Sequence, residues 1–519
     1  MGITLKDRTF ENAVRLLDSL QTNKQVTSLI AAGPGANHRA IPEMLDWLRR
    51  AGYTPEGFAD QLKFIHVAGT KGKGSVCAFV ESILLQYRYD AVQRTNQAIG
   101  KIGLFTSPHL RTVNERIRID GAPISEAKFA LHFFDLWNRF DLNPPPNAET
   151  ARTRPGFFRF LTILALHTFV REGVETAIIE CGIGGEYDST NILPAKAVTA
   201  TAITSLGLDH IGMLGDTVEQ IAWHKGGIMK ERVAAFSVKQ SLSAMAVLKR
   251  RAIEKNVELE VVQRVPALED VRLGLEGYFQ KDNAALAVNV AALHLGQLGI
   301  LQKVLPASRH IDYESLPNNF ITGLQHTALA GRCQVLADGN ITWFLDGAHT
   351  IESIREAAVW FHGHLSLARA SSNPPTATML IFNQTGQRDG AALLRNLLNQ
   401  LEALSYPPFV TTASFSLRRV NPRLFTYAAF PTNTPFQEPS PATAPDIQAQ
   451  ERLGAIYGDI SGNSLYMAYE TVEEAVLLAQ RVSAEDERVL VFVTGSLHLV
   501  GGVLTVLESQ AKKGDSMPR

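Results

Sequence analysis

The chain has 519 residues, more than one hydrophobic core usually supports, so we expect at least two domains. Apolar residues make up 45% and charged residues 19% of the chain, and the formal net charge of -1 argues against nucleic-acid or membrane partners. Its three cysteines, Cys77, Cys181 and Cys333, lie far apart, which argues against a disulfide framework and against a cysteine-built metal site.

The first half of the chain repeats one pattern: a short apolar strand, a turn rich in glycine and polar residues, and a helix. Amphipathic helices are predicted first, at residues 9–21 and 41–50. Strands are predicted at residues 64–67, 102–105, 177–180, 198–204 and 233–238, and further helices at 76–86, 217–228 and 280–298. Alternating strands and helices predict a parallel sheet covered by helices, in which ligands bind beyond the carboxyl ends of the strands.

The same pattern restarts after Gly331 and Arg332. Strands are predicted at residues 341–345, 379–382 and 489–493, each followed by a turn rich in glycine and polar residues. We therefore predict a boundary between an N-terminal domain at 1–328 and a smaller C-terminal domain at 329–519, and we expect both domains to be α/β.

The segment Gly69–Ser75 joins a predicted strand to a predicted helix and is the strongest local signal. Its glycines let successive backbone N–H groups face one anion, the start of the helix adds positive potential, and Lys73 adds a full charge. We interpret the segment as a phosphate-binding loop (P-loop), with a glycine-rich turn as the alternative. It departs from the standard spacing, and Gly74 stands where a magnesium-binding hydroxyl would follow the lysine. The fold prediction is thus an N-terminal P-loop mononucleotide-binding domain with a parallel sheet, followed by a Rossmann-like domain.

Other oxygen ligands are then needed if Mg²⁺ binds near the loop. Ser107, Glu180 and His210 each follow a predicted strand, and Asp209 is a rival ligand. Glu180 ends an apolar strand and is the strongest candidate on local grounds. His210 is a less usual ligand for hard Mg²⁺, and on local grounds a structural or hydrogen-bonding role fits it better. Ser107 before Pro108 is, on the same grounds, better explained as a turn or cap residue.

Motifs along most of the chain resemble the folylpolyglutamate synthase family, the folate branch of the Mur ligase superfamily. The matching segments lie at His66–Ser75, Leu104–Arg118, Phe157–Thr162, Glu180–Ile192, Leu206–Lys230, Asp282–Ala285, Gly331–Arg332, Asp346–Thr350, Phe382–Asp389 and Thr494–Gly501. A short segment such as Gly331–Arg332 could match by chance and identifies no family alone. The resemblance rests on the whole set of segments occurring in the same order.

The resemblance implies an ATP-dependent ligase that adds L-glutamate to the γ-carboxylate of (tetrahydro)folate or folylpolyglutamate through an acyl phosphate. The implied ATP-binding residues are Gly69, Thr70, Lys71, Gly72, Lys73, Gly74, Ser75, Asn283, Arg332 and Asp346. Asn283 is expected near the base, Arg332 on phosphate oxygens and Asp346 on ribose hydroxyls. The C-terminal domain is expected to close the ATP site.

Metal and catalytic residues are implied in the same way. Ser107, Glu180 and His210 match the family's ligands for Mg²⁺, of which two ions are expected. The implied catalytic residues are Lys73, Lys225 and His349. Lys225 matches a lysine that is carbamylated in this family, although its neighbours His224 and Gly227 depart from the usual bacterial pattern. A surface or ion-paired lysine is the alternative for Lys225.

Folate needs an aromatic platform and cationic groups for its glutamate tail. The candidate substrate residues are His109, Arg116, Phe157 and Arg159, with Arg111 and Phe158 as further candidates. The aromatic and arginine run at Phe157–Thr162 favours chain extension over the sister activity, dihydrofolate synthase. Two rival functions are a peptidoglycan-type Mur ligase and a non-catalytic ATP-binding protein. The non-catalytic protein would be expected to lack Lys73, Glu180 or His210.

The expected partners are therefore small molecules: ATP, folate or folylpolyglutamate, and L-glutamate. No nucleic-acid or membrane partner is expected, and a monomer is expected because two domains would complete one site. The first residues lack a secretory or organellar leader pattern, so a cytoplasmic protein is expected.

Overall fold

The computed structural model describes residues 7–21, 36–88, 98–145, 153–264, 266–301, 316–384, 389–405, 424–436, 446–484 and 488–515. The chain divides into two compact units. Unit 1 contains Met1–Gly274 and Gln280–Ala328, and unit 2 contains Leu275–Phe279 and Leu329–Arg519. The ATP-binding and ATP-closing roles predicted for the two domains stay predictions. Within the matching segment Phe382–Asp389, residues 385–388 lie outside the described part of the chain.

Unit 1 is built on an eight-stranded sheet. Its strands are β1 (Lys63–Ala68), β2 (Lys101–Phe105), β3 (Ile117–Ile119), β4 (Ala122–Pro123), β5 (Val174–Glu180), β6 (Val198–Ile203), β7 (Ala235–Ser237) and β8 (Leu259–Val261). Their order is β4-β3-β2-β5-β1-β6-β7-β8. All pairs are parallel except β2–β3 and β3–β4. Every residue of β6 is buried, as expected for a strand covered on both faces.

Helices pack against the apolar side chains of this sheet. They are α1 (Phe10–Asp18), α2 (Ala40–Arg50), α3 (Pro55–Ala59), α4 (Lys73–Leu85), α5 (Glu126–Leu142), α6 (Phe157–Glu172), α7 (Ile211–Leu214), α8 (Val218–Gly226), α9 (Leu242–Glu254), α10 (Pro266–Glu269), α11 (Gln280–Gln297) and α12 (Asn318–His326). The helix predicted at 76–86 starts at Lys73, so Lys73 lies in its first turn. Single 3₁₀ turns occur at Ala36–Arg39, Val113–Arg116, Ser189–Ile192 and Ala195–Ala197.

Unit 2 has a six-stranded sheet of its own. Its strands are β9 (Gln334–Asp338), β10 (Ile341–Leu345), β11 (Ala377–Phe382), β12 (Tyr427–Pro431), β13 (Tyr466–Tyr469) and β14 (Val489–Thr494), in the order β13-β12-β11-β14-β10-β9. Only the pair β9–β10 is antiparallel among these strands of the described chain. Its helices are α13 (Ile351–Arg369), α14 (Gly390–Ser405), α15 (Gln448–Ser461), α16 (Val472–Ser483) and α17 (Leu497–Asp515).

The predicted α/β class is confirmed in both units, and the eight strands predicted from the sequence all lie in the two sheets. The other strands of the described chain, β3, β4, β8, β9, β12 and β13, were not predicted. Within the described ranges, no helix combines the length and the hydropathy needed to cross a membrane.

Candidate active site

The site residues predicted in unit 1 follow four strands that are neighbours in the sheet. Ser107 follows β2, Glu180 ends β5, the loop Gly69–Ser75 follows β1, and His210 follows β6. Parallel strands end at the same edge of a sheet and lie about 4.8 Å apart. The sheet therefore brings these four segments to one edge, although they are far apart in the sequence.

The predicted P-loop makes a turn that requires glycine. Gly72 has φ +88° and caps the N-terminus of α4, and a Cβ atom there would lie 2.4 Å from Oδ1 of Asn283. The N–H groups of Thr70 and Lys71 both donate to the carbonyl oxygen of Ser205, at 2.9 and 3.1 Å. The loop is thus anchored to the segment after β6, and its helix begins within one residue of the tight turn.

Two lysine amines meet at one carbonyl oxygen of this loop. Lys73 Nζ donates to the oxygen of Gly69 at 3.1 Å and Lys225 Nζ donates to the same oxygen at 2.8 Å. Lys225 is only 3% exposed, and burial, with the charge of Lys73 as the next cause, lowers the pKa of its amine to about 7. Near neutral pH a substantial fraction of this amine is therefore uncharged and nucleophilic.

Glu180 supplies a buried carboxylate beside these cations. Its Oε1 lies 4.0 Å from Lys73 Nζ, and its Oε2 accepts a hydrogen bond from the N–H of Ser107 at 2.9 Å. The residue is 4% exposed. Two of the three predicted metal ligands, Ser107 and Glu180, therefore lie side by side and offer the oxygen donors that Mg²⁺ prefers.

The third predicted ligand, His210, has a different setting. Its backbone is left-handed, with φ 51°, and its side chain is 43% exposed. Its ring Nε2 lies 3.9 Å from Asp209 Oδ2, and its N–H donates to Asp209 Oδ1 at 3.0 Å. Among the described residues, no group of three His, Cys, Asp or Glu side chains is placed to hold a metal ion. Of the predicted ligands Ser107, Glu180 and His210, only Glu180 and His210 are of these residue types. The absence of such a group therefore does not test the predicted magnesium site, which stays a prediction.

Three of the four candidate substrate residues form one cluster. Arg116 Nε donates to His109 Nδ1 at 2.9 Å, and its guanidinium lies 5.6 Å from the centre of the Phe157 ring. Because an arginine nitrogen only donates, His109 accepts at Nδ1 and carries its ring proton on Nε2. Burial lowers the pKa of Arg116 to about 10, and the negative charge of Glu180 opposes that shift. The fourth residue, Arg159, instead forms an ion pair with Glu43 at 2.7 Å.

The predicted residues of unit 2 lie where the chain enters β9 and leaves β10. Asp346 is 7% exposed, its Oδ1 accepts from the N–H of Ala348 at 2.9 Å, and its Oδ2 accepts from the N–H of Cys333 at 2.8 Å. Burial raises the pKa of Asp346, and the charge of Arg332 opposes that shift. His349 Nδ1 lies 2.7 Å from the oxygen of Gly347. Arg332, Asp346 and His349 thus belong to one local structure.

Gln280 is a site residue that the sequence analysis missed. It is 1% exposed, its Nε2 donates to Ser75 Oγ at 3.2 Å, and its Oε1 accepts from Asn283 Nδ2 at 2.8 Å. Gln280 therefore holds Asn283 against the P-loop rather than leaving its amide free to turn. The spacing of three residues on a predicted helix was the available signal, since such residues share one face.

A buried polar network behind Glu180 was also missed. His66 Nε2 lies 2.8 Å from Thr190 Oγ1, which donates to Asp188 Oδ1 at 2.6 Å, and Asp188 Oδ2 accepts from the N–H of Ile183 at 2.9 Å. Burial lowers the pKa of His66 to about 3, so its ring is neutral. The network fixes the segment that follows Glu180. These residues lie inside the matching segments of the family, but no local pattern assigned them partners.

Comparison with known proteins gives consistent matches along nearly the whole chain. No protein-family model matches. A folylpolyglutamate synthase of Saccharomyces cerevisiae is 39% identical over 510 residues, which cover 96% of this chain and 87% of that protein. The structure of Mycobacterium tuberculosis folylpolyglutamate synthase complexed with ADP covers 96% of this chain and 98% of its own, with a TM-score of 0.65 and 22% identity. The structure of E. coli FolC in complex with DHPP and ADP covers 97% and 98%, with a TM-score of 0.62 and 20% identity.

Proposed function

This chain belongs to the folylpolyglutamate synthase family, and we propose that it is an ATP-dependent ligase that adds L-glutamate to the γ-carboxylate of folate or folylpolyglutamate. The observation that carries the proposal is the meeting of Lys73 and Lys225 at Gly69, beside the buried carboxylate of Glu180. A P-loop flanked by cations and one carboxylate suits phosphoryl transfer to a carboxylate. The similarity to the yeast synthase supports folate as the acceptor.

ATP is proposed to bind with its phosphates at the loop Gly69–Ser75. The Thr70 and Lys71 N–H groups bond Ser205, so the N–H groups in the first turn of α4 would face the anion, and Lys73 would neutralise charge on the terminal phosphates. Asn283 lies against Gly72. Its proposed contact with the nucleotide base is therefore expected close to this loop. Arg332 and Asp346 of unit 2 are proposed to contact phosphate oxygens and ribose hydroxyls, and the ADP complexes of similar solved structures support a nucleotide as co-substrate.

Mg²⁺ is proposed to be held by Ser107, Glu180 and His210, with two ions in the complete site. The donor set supports this, because Ser107 and Glu180 are joined by a hydrogen bond and both carry oxygen ligands. Bound Mg²⁺ would neutralise phosphate charge as the folate carboxylate approaches. Lys73 Nζ lies 4.0 Å from Glu180 Oε1, so the carboxylate and the amine lie on the same side of the proposed phosphate site.

The proposed reaction has two steps. The folate γ-carboxylate attacks the γ-phosphorus of ATP, the bond to the β-phosphate oxygen breaks, and ADP leaves with formation of an acyl phosphate. The amine of glutamate then attacks the acyl carbon, loses a proton, and inorganic phosphate leaves as the amide forms. Lys73 supports the first step by offsetting negative charge on the transferring group. His349 is proposed to act near the same phosphate.

The Arg116 cluster is proposed to bind the folate tail. A buried guanidinium stacked near Phe157 and hydrogen-bonded to His109 offers charge and an aromatic face together. Arg159 is the weakest of these candidates because it is paired with Glu43. Lys225 is proposed to be carbamylated, since its buried, partly neutral amine meets the chemical requirement for reaction with CO₂.

Acceptor choice distinguishes the proposed synthase from dihydrofolate synthase. Purified protein is offered labelled L-glutamate and ATP with either tetrahydrofolate or dihydropteroate. Incorporation into tetrahydrofolate is expected. Incorporation with dihydropteroate alone would assign the sister activity instead, and incorporation with neither would favour a non-catalytic nucleotide-binding protein.

A further inference from the structure

We propose that Cys333 is a positioning residue for nucleotide binding: its left-handed backbone brings its N–H to Asp346 and thereby fixes Arg332. The proposal rests on the proposed function in one respect, the role of Arg332 as a contact of ATP phosphates. It involves only unit 2 and makes no assumption about folate or glutamate.

Arg332 lies between two residues with left-handed backbones. Gly331 has φ +71° and Cys333 has φ +44°. This conformation is ordinary for glycine, but it is uncommon for a residue with a side chain because the Cβ atom crowds the backbone. It persists only where surrounding contacts hold it. The contacts around Cys333 should therefore explain why the chain adopts it.

Those contacts join the segment 331–333 to the segment 346–348. The N–H of Gly347 donates to the oxygen of Gly331 at 2.9 Å, and the N–H of Cys333 donates to Asp346 Oδ2 at 2.8 Å. The Cys333 thiol donates to the same oxygen at 3.5 Å. The N–H of Ala348 holds the other carboxylate oxygen at 2.9 Å, so the carboxylate cannot rotate freely.

A third anchor holds the other side of Arg332. The N–H of Gly331 donates to Gln334 Oε1 at 2.9 Å, where β9 begins. Cys333 is 4% and Asp346 7% exposed, whereas Arg332 is half-buried. The backbone is therefore fixed on both sides of a guanidinium that keeps access to solvent. Such preorganisation lowers the entropy lost when a side chain binds its ligand.

The test is nucleotide affinity of the full chain, measured by calorimetry with the ATP analogue AMPPCP and with adenosine. Cys333→Val places a β-branched residue at a positive φ and should raise the Kd for AMPPCP about tenfold. Adenosine lacks phosphates but keeps the ribose proposed for Asp346, so it should lose clearly less affinity than AMPPCP. Cys333→Gly adopts the same backbone without strain and should bind AMPPCP like the wild type.

Two further variants separate positioning from general damage. Arg232→Val introduces the same strain at φ 62° on a side chain that is 82% exposed, and it should lower the melting temperature without changing AMPPCP affinity. In the Arg332→Ala background, Cys333→Val should cause a smaller loss of AMPPCP affinity than it does alone, because the guanidinium it positions is absent.

Additive losses in the double variant, or equal losses for adenosine and AMPPCP, would overturn the proposal. So would a lower melting temperature of Cys333→Val with unchanged AMPPCP affinity. If Cys333→Val does not fold, Gln334→Ala removes the acceptor for the Gly331 N–H without backbone strain, and it must show the same selective loss. Since binding is measured without an acceptor, this result stands or falls separately from the ligase activity.

Discussion

Lys225 illustrates at the residue scale how position changes chemistry. Its amine is buried, lies 2.8 Å from the oxygen of Gly69, and shares that oxygen with the charged amine of Lys73. Both burial and the neighbouring charge disfavour the protonated form, so the pKa of Lys225 falls to about 7. The sequence identified this lysine only through resemblance, because the carbonyl it meets is 156 residues away.

A pH-dependent carbamate on Lys225 follows from this shift. The neutral amine is the form that reacts with CO₂, and its fraction rises as pH increases through about 7. At a fixed pressure of ¹³C-labelled CO₂, a carbamate signal in the ¹³C NMR spectrum should therefore grow between about pH 6 and about pH 8. It should vanish in Lys225→Met. Lys230 is the matched control, because burial lowers its pKa to about 8, and Lys230→Met should keep the signal. A signal retained in Lys225→Met would contradict the assignment.

The same pKa shift has a consequence for stability. The unfolded chain, in which the lysine has its ordinary pKa near 10.4, holds more protons than the folded chain between about pH 7 and that value. The contribution of Lys225 to the free energy of unfolding should therefore become more favourable as pH rises through this interval. It is least favourable below about pH 7, where the buried amine is charged.

At the element scale, the P-loop turn depends on one glycine. Gly72→Ala combines a positive φ of 88° with a Cβ atom 2.4 Å from Asn283 Oδ1, so it should cost about 1–3 kcal/mol of stability and weaken ATP binding. Gly173→Ala is the matched control, because its φ is 68° and a Cβ there meets no atom within 4 Å. It should cost about 1 kcal/mol and leave ATP affinity unchanged. Denaturant unfolding and nucleotide titration measure both effects, and equal ATP affinity in the two variants would refute this role of Gly72.

The positions of many strands and helices in the sequence were predictable, but the order of the strands in each sheet was not. Apolar runs such as 198–204 and 341–345 predicted strands to within about two residues. A strand buried on both faces is a nearly continuous apolar run, which can be recognised in the sequence directly. Strand order was unpredictable, since pairing β5 between β2 and β1 depends on contacts across the chain. The segment Phe157–Thr162 was interpreted only as a substrate motif, and the structure places it at the start of α6.

For the site residues, the location was predictable from the sequence and the hydrogen-bond partners were not. Strand ends predicted that Ser107, Glu180 and the P-loop would share one edge of a sheet. The partners that define their chemistry, such as Gln280 for Asn283 and Cys333 for Asp346, come from outside each motif. Arg159 shows that residues of one motif can have different surroundings. Phe157, two residues earlier, contacts Arg116, whereas Arg159 forms an ion pair with Glu43. Side-chain direction on a helix separates residues that are adjacent in the sequence.

At the scale of the whole molecule, two α/β units carry the residues proposed for the ligase reaction. Unit 1 supplies the P-loop, the buried carboxylate and the folate candidates, and unit 2 supplies the anchored Arg332. A ligase built this way should couple each cleavage of ATP to one amide bond, because the acyl phosphate is the only proposed route from carboxylate to amide.

The most direct measurement is therefore the ratio of ADP released to labelled glutamate incorporated into tetrahydrofolate. We predict a one-to-one ratio, and a rate that falls roughly 100- to 1,000-fold in Lys73→Ala. Lys63, at the opposite end of β1, is the matched control, and Lys63→Ala should retain the wild-type rate. Glutamate incorporation without ADP release, or an unchanged rate in Lys73→Ala, would contradict ATP-dependent ligation at this loop.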